Sequence, residues 1–314
     1  MGAQAFMSDI PTMPHGSVYQ RRYAPTRRWT PTQAHPLGQG RTQVAAIERA
    51  AVAVVEQARP PALRVYDQIP MQGEDLIRQV RLVAPLLADR AVAFVGDYDS
   101  ASALMGLLGA RSGVPCPSHM LVLDFDERVL TTLEMLARRY GFADRLEVRR
   151  YNVFDPVPWD LVGRYDWFYT NPPYGASNSG ESARLFIARG CELVQLNGHG
   201  CIILPDDADR PWTRRAMIAT QQFLTAHNWL MGAKLDEMHR YHLDDDPNLA
   251  SSLLLVEHVD DADYLHRTMP YCGRQVRMSE IPHFYGRSVA PPYPAYIAAD
   301  SRDVDGGCVR RAAG

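Results

Sequence analysis

The sequence predicts an α/β protein built on a mostly parallel sheet, and three observations predict it. Short apolar runs alternate along the chain with amphipathic stretches of helical length. The apolar runs are continuous, as strands buried on both faces are, and do not alternate with polar residues. Each run ends in a polar, turn-forming cluster, the place where open parallel sheets bind ligands. The 314 residues are 46% hydrophobic and 22% charged, which is enough apolar surface to bury a core and excludes a chain disordered throughout. No apolar run is long enough to span a bilayer, and the N-terminus lacks a basic-then-apolar leader pattern.

Residues 1–40 are rich in Pro, Gly, Gln and Thr and read as an extended or disordered tail. The tail interleaves Arg21, Arg22, Arg27 and Arg28 with Tyr19, Tyr23 and Trp29, a mixture able to touch nucleic acid or a partner. Thr42 to Ala58 reads as a helix with Val44, Ile47, Ala51, Val54 and Val55 on one side, ended by Pro60-Pro61. A second helix follows from Gly73 to about Leu87. The β–α alternation then begins. Strands are expected at Ala91–Val95, Met120–Leu123, Leu146–Tyr151, Trp167–Thr170 and Cys201–Leu204. The helices between and after them are Ser100–Leu108, Val129–Tyr140, Glu181–Leu196 and Thr213–His227. Trp229–Glu237 and Ser251–Val256 are two last strands with no helix between them, so that edge is expected to be antiparallel. From 259 onward Pro, Tyr and Arg are frequent and periodicity is weak, as in a lid, an oligomer arm or a loose tail.

Charge and cysteine narrow the class further. The net charge of −3 argues against a strongly basic nucleic-acid binder. The five cysteines, Cys116, Cys191, Cys201, Cys272 and Cys308, form no CxxC pair, so neither a disulfide framework nor a zinc ribbon is indicated. A reducing cytoplasm is the expected location, and no metal is expected.

Four strand ends carry residues able to do chemistry. After the first strand come Gly96-Asp97-Tyr98-Asp99-Ser100; a glycine there lets a ligand approach the backbone. The turn lacks the GxGxxG dinucleotide fingerprint and holds two carboxylates where a pyrophosphate would lie. Asp124 ends the second strand, where an acid accepts both ribose hydroxyls; Asp126, as a further cofactor contact or a cap of the next helix, and Glu127, as a cap, follow. Asn152 and Asp155 follow the third strand, where an amide or acid can read the exocyclic amine of adenine. The fourth strand leads into Asn171-Pro172-Pro173-Tyr174. The Pro-Pro turn stiffens the backbone, so the Pro172 carbonyl and the Asn171 side chain can hold a substrate amine and aim its lone pair. Tyr174 adds a flat face or a hydroxyl. Together these residues suit an adenosine moiety beside an amine-orienting turn. The fitting chemistry is attack by an unprotonated amine on a carbon attached to a sulfonium.

At these motifs the chain resembles the bis(aminopropyl)spermidine synthases, the branched-chain polyamine synthases. The resemblance runs from about Tyr66 to Val256. It comprises Tyr66-Asp67-Gln68, the GDYD turn, LDFDER at 123–128, the NPPY turn, FIARGCELV at 186–194, and Gln221 and Gln222 through to Tyr241. It implies a class I methyltransferase-like Rossmann fold, a mostly parallel seven-stranded sheet with an antiparallel edge, and aminopropyl transfer from decarboxylated S-adenosylmethionine to a polyamine nitrogen. By the same resemblance Asp97 and Asp99 lie near the donor's aminopropyl group and the acceptor amine, Asp124 holds ribose and Asn152 sits by adenine. The chain then divides into the tail (1–40), a helical cap (41–88), a methyltransferase-like catalytic domain (89–258) and a C-terminal extension or lid (259–314). A homo-oligomer is left open. Two departures stand out. Tyr98 replaces the middle acid of the family's usual GDDD turn, and Asn171 replaces the acid that usually opens the later turn. NPPY is the form found in amino-methyltransferases.

Electrostatics separates the alternatives in part. Intact S-adenosylmethionine carries a carboxylate that the decarboxylated donor lacks, and Asp97 and Asp99 would both repel it if both point into the pocket. Like charges about 4 Å apart cost about 4 kcal/mol at an effective dielectric near 20. A polyamine chain is cationic, and Asp244, Asp245 and Asp246 are candidates to bind it; His239 and His242 alone do not make a metal site. Asp99 is the expected general base and Asp97 the anchor. The alternatives are an S-adenosylmethionine-dependent N-methyltransferase acting on a nucleobase or protein amide, with the arginine-rich tail binding nucleic acid, and a non-catalytic scaffold of the same fold.

Overall fold

Strand β1 (Ala91–Val95) lies inside the sheet because every one of its residues is apolar and both of its faces are covered. Val92 and Phe94 point into one core layer, and Ala93 and Val95 into the other. The same period of two sorts Met120 and Val122 from Leu121 and Leu123 on β2 (His119–Asp124), and Cys201 and Ile203 from Ile202 and Leu204 on β5 (Val194–Pro205). The computed structural model describes residues 46–259, 269–285 and 296–300. The tail of residues 1–40 and its arginines lie outside them. Among the described residues no helix is long and apolar enough to cross a membrane.

The remaining elements are α1 (Ala46–Ala58), α2 (Gly73–Leu87), α3 (Ala101–Ser112), α4 (Glu127–Tyr140), β3 (Leu146–Arg150), β4 (Tyr165–Thr170), α5 (Glu181–Leu193), α6 (Pro211–Thr225), β6 (Trp229–His239) and β7 (Ser251–His258). Among the described residues the sheet runs β3-β2-β1-β4-β5-β7-β6. Strands β1 to β5 pair in parallel, and β7 runs antiparallel to both β5 and β6. This is the methyltransferase-like Rossmann arrangement. The strand order turns back between β1 and β4, which opens a crevice beyond their C-terminal ends.

Three expectations are refined. The antiparallel strand is β7, one place in from the edge; β6, the outermost strand, runs with the parallel set. Helix α5 stops at Leu193, not Leu196. The Glu192 and Leu193 carbonyls accept the Gly163 and Arg164 N–H groups, and Val194 already pairs with Tyr165. Helix α3 extends to Ser112 and ends at Gly113, whose φ of 65° is the left-handed conformation of a helix stop. The boundary at 88/89 does not separate two cores. Leu76, Val80 and Val83 of α2 share one cluster with Val92, Leu104 and Leu133, and the described residues from Ala46 onward belong to one compact unit.

The described parts of the C-terminal extension pack onto the opposite layer. Val276 N donates to Phe154 O at 2.8 Å, and Ile297 N donates to Phe125 O at 3.1 Å. Ser182 Oγ donates to Phe284 O at 2.6 Å.

Candidate active site

The ends of β1 to β4 converge on an open cleft. Gly96, Asp97, Tyr98, Asp99, Asp124, Asn152 and Asn171 line it, with Tyr169 and Pro173 beside the turn after β4. Gly96 enters the turn at φ 72°, and its N–H donates to Leu123 O at 2.8 Å. A side chain there would be strained and would press the Phe186 ring.

The two acids of the GDYD turn diverge. Asp97 caps α3: Oδ1 accepts Ala101 N at 2.8 Å, and Oδ2 accepts Ser102 N at 3.1 Å and Ser102 Oγ at 2.5 Å. Burial raises its pKa to about 7 against those hydrogen bonds. Asp99 turns the other way. Its Oδ1 accepts Met71 N at 2.7 Å, and its Oδ2 accepts Asn171 Nδ2 at 2.6 Å. The two carboxylates therefore do not both point into the pocket, because the α3 N-terminus claims one of them. Tyr98 donates to Pro60 O at 2.9 Å, and burial pushes its hydroxyl up to about 12.

Asp124 faces the cleft with both oxygens already touched by backbone. Oδ2 accepts Asp97 N at 3.1 Å, and Oδ1 accepts Asp126 N at 2.9 Å. Burial, then the nearby Asp126 charge, raises its pKa to about 7. A third backbone N–H, that of Phe125, also reaches the carboxylate, which still has room for a further donor. Asp126 is absent from the cleft lining. Its carboxylate accepts Arg128 N, Nε and Nη2 and Gln68 Nε2 at 2.7–3.0 Å and is wholly buried. It caps α4 and pins the YDQ segment, so a direct contact to cofactor does not follow from this geometry.

Asn152 is turned differently from the sequence expectation. Its Oδ1 accepts Phe154 N at 3.1 Å, while Nδ2 is buried and has no partner. The open group is a donor. It suits a ring nitrogen of a base, not an exocyclic amine. Asp155 accepts Tyr296 Oη at 3.0 Å and stays out of the lining.

The NPPY turn is held from behind. Asn171 Oδ1 lies 3.3 Å from the Tyr174 hydroxyl and 3.5 Å from that of Tyr241. The two hydroxyls bond each other. Tyr174 and the buried Pro172 are absent from the lining; Pro173 is the proline that faces the cleft. Of the acidic run, Asp245 pairs with Arg64 at 3.3 Å and Asp246 with Arg210. None of the three lines the cleft.

Further walls come from outside the strand-end turns. Ile69, Phe186 and Tyr285 line the cleft from the α1–α2 connection, α5 and the C-terminal segment. Tyr66 packs against Phe125 and Tyr285, each ring 5.2 Å away. The YDQ segment was visible in sequence as part of a resemblance. Phe186 was visible in the same way, as the first residue of FIARGCELV; for Tyr285 no local signal exists, since only tertiary packing brings it to the site.

Comparison with known proteins agrees with this architecture. Residues 47–271 match the model of the branched-chain polyamine synthase A C-terminal domain. The N(4)-bis(aminopropyl)spermidine synthase of Thermococcus kodakarensis is 28% identical over 47% of this chain and 39% of its own. That of Thermus thermophilus is 31% identical over 46% of this chain and 38% of its own. The chain thus spans well under half the length of these relatives. A crystal structure of the branched-chain polyamine synthase from Thermus thermophilus, in complex with N4-aminopropylspermidine and 5'-methylthioadenosine, superposes with a TM-score of 0.56. It is 21% identical and covers 73% of this chain and 70% of that one, a likeness of fold. Because the family model takes in more than half of its residues, the chain belongs to the family of the branched-chain polyamine synthase A C-terminal domain.

Proposed function

We propose that the protein is an aminopropyltransferase, moving the aminopropyl group of decarboxylated S-adenosylmethionine to an amine of a polyamine. One observation carries the reading. Asp67, Asp99 and Asp124 line the cleft, beside an Asp97 whose carboxylate is spent on the α3 cap, and no Lys, Arg or His lines it among the described residues. Such a lining offers no partner to the carboxylate of intact S-adenosylmethionine. It favours a donor with a cationic tail and a cationic acceptor. The relatives' names and the ligands of the neighbouring structure support the same substrates.

The chain's own residues divide the work as follows. Asp124 takes the ribose hydroxyls, and Asn152 Nδ2 donates to a ring nitrogen of adenine. Asp99 receives an N–H of the acceptor. The amine lone pair forms the N–C bond while the C–S bond breaks, and its electrons stay on sulfur in methylthioadenosine. The proton displaced from nitrogen passes to Asp99. Asn171 donates to Asp99 and fixes the face it presents. Asp97 acts on the site through the helix cap.

A second reading, methyl transfer from S-adenosylmethionine to a nucleobase or amide nitrogen, is favoured by one feature. Asn171 is a neutral amide, better matched to a neutral nitrogen than to a dication. Calorimetric titration with the two donors tests the choice. Tighter binding of the decarboxylated donor is expected, followed by transfer to spermidine. Preference for intact S-adenosylmethionine would move the assignment to methyl transfer, and binding of neither would favour the non-catalytic scaffold.

A further inference from the structure

One buried polar group of the cleft has no part in the reaction as written. Tyr169 belongs to the cleft wall and is 1% exposed. Its hydroxyl has no hydrogen-bond partner among the described residues. A hydroxyl taken from water without a replacement partner costs stability, and folded proteins keep few of them. Packing alone would be served by phenylalanine, which fills the same space without that cost.

The sheet places the hydroxyl. Tyr169 is on β4, two residues before Asn171, and Tyr241 lies near both side chains. The Tyr169 ring is 5.2 Å from that of Phe94 on β1, two residues before Gly96. The carboxylates that bear most on the hydroxyl are Asp99 and then Asp97, and burial together with these charges keeps it un-ionised. The unpartnered oxygen therefore belongs to the β1–β4 end of the cleft, beside the Asp99–Asn171 pair.

The order of the strands gives the order of the donor's parts. Asn152, Asp124 and Gly96 follow β3, β2 and β1, which are neighbours in that order, and β4 is next. Adenosine over β3 and β2 brings the sulfonium to the β1 turn. A three-carbon tail then covers about one strand spacing, about 5 Å, and its end comes over β4. We infer that the Tyr169 hydroxyl holds the terminal ammonium of the donor's aminopropyl tail, accepting one of its N–H groups. An ammonium only donates, and a phenol oxygen has lone pairs to accept. Asp99 supplies the negative field that favours a cation there, whereas the Asp97 carboxylate is spent on the α3 cap. The reacting carbon is at the other end of the tail, on sulfur. Holding the far end fixes the line of the C–S bond along which the acceptor nitrogen attacks. The inference deepens the aminopropyl-transfer reading and rests on it for the identity of the donor.

Two neutral thioethers test the contact by calorimetry on the full chain: aminopropylthioadenosine, and propylthioadenosine, which lacks only the amine. The wild-type protein is expected to bind the amine-bearing ligand about tenfold tighter, as for one hydrogen bond to a charged group. Tyr169→Phe should bring the two ligands within about twofold and leave propylthioadenosine affinity unchanged. Its ligand-free denaturation midpoint should equal or exceed that of wild type, since only an unpartnered hydroxyl is lost. No preference for the amine in the wild type, a preference that survives Tyr169→Phe, or equal weakening of both ligands would overturn the inference. The first of these needs no variant, so the test stands even if Tyr169→Phe folds poorly. Transfer to spermidine is assayed separately. Its absence, with the amine preference intact and lost in Tyr169→Phe, would sink the functional reading and leave the Tyr169 contact standing.

Discussion

Asp97 and Asp99 stand two positions apart in one turn, yet their carboxylates meet different partners. Asp99 keeps lone pairs for a substrate, so Asp99→Asn is expected to abolish transfer and leave methylthioadenosine binding within about twofold, since the nucleoside contacts lie elsewhere. Equal loss of both, read by calorimetry beside the transfer assay, would remove Asp99 from the role of base. Asn152 gives a second test. Replacing its unpartnered Nδ2 with a carboxylate oxygen, in Asn152→Asp, sets acceptor against acceptor and should weaken methylthioadenosine by about tenfold or more. Asp124 makes binding depend on pH. Its pKa near 7 means that the free protein is half protonated around neutrality. Ribose hydroxyls bond the ionised form better, so binding should release a proton and tighten as pH rises from 6 to 8. A flat affinity profile would detach Asp124 from the ribose. The sequence placed these acids at strand ends because the β–α pattern is local and periodic. It did not tell which carboxylate would face the cleft, since that depends on how α3 begins, with Ser100 at φ 59° and the Asp97 oxygens against the next two N–H groups.

At the scale of an element, the α3 cap binds catalytic geometry to stability. Asp97 accepts three hydrogen bonds but is buried, so its charge is costly and its pKa is raised to about 7. Between the unfolded carboxylate range near 4 and pH 7 the native state holds a proton that the unfolded chain has released. By linkage, the stability contributed by this group is full below that range and declines as pH climbs through 7. Asp97→Asn keeps an accepting oxygen for the helix without the charge, so its denaturation midpoint should exceed that of wild type at pH 8 and match it near pH 4. Asp97→Ala should lose about 1 kcal/mol of cap at either pH. A wild-type midpoint that rises with pH over the same window, while that of Asp97→Asn stays level, would contradict the assignment. The element boundaries that sequence reading missed share a cause. The end of α5 is set by the Gly163 and Arg164 N–H groups, 29 residues away in sequence, and periodicity carries no information about such distant partners. The insertion of β7 between β5 and β6 is likewise a choice among pairings that the apolar pattern of Ser251–Val256 leaves equal.

Across the whole molecule, the cleft is closed by parts of the chain far from the sheet. Arg189, fully buried, donates to Val153 O, Tyr271 O and Arg274 O at 2.8–2.9 Å and pairs with Glu192. One guanidinium thus ties the loop carrying Asn152 to the C-terminal segment carrying Tyr285. The α/β class, the order of the motifs and their meeting at one end of the sheet were legible because strand ends converge in any parallel sheet. The C-terminal wall was not, because Pro- and Arg-rich sequence without periodicity packs only where a preformed surface receives it, here Phe154, Phe186 and Tyr66. If this segment is a working wall and not mere cover, its aromatic tip should contribute to nucleoside binding. Tyr285 lines the cleft and meets Tyr66 edge-on. Tyr285→Ala removes both contacts and should weaken methylthioadenosine about fivefold, an aromatic contact being worth roughly 1 kcal/mol beyond its area. The same change opens a cavity and should lower stability by about 3 kcal/mol, so affinity must be measured well below the unfolding midpoint. Unchanged affinity there, with the lowered midpoint, would leave the segment a packing element and return nucleoside recognition to Asp124 and Asn152 alone.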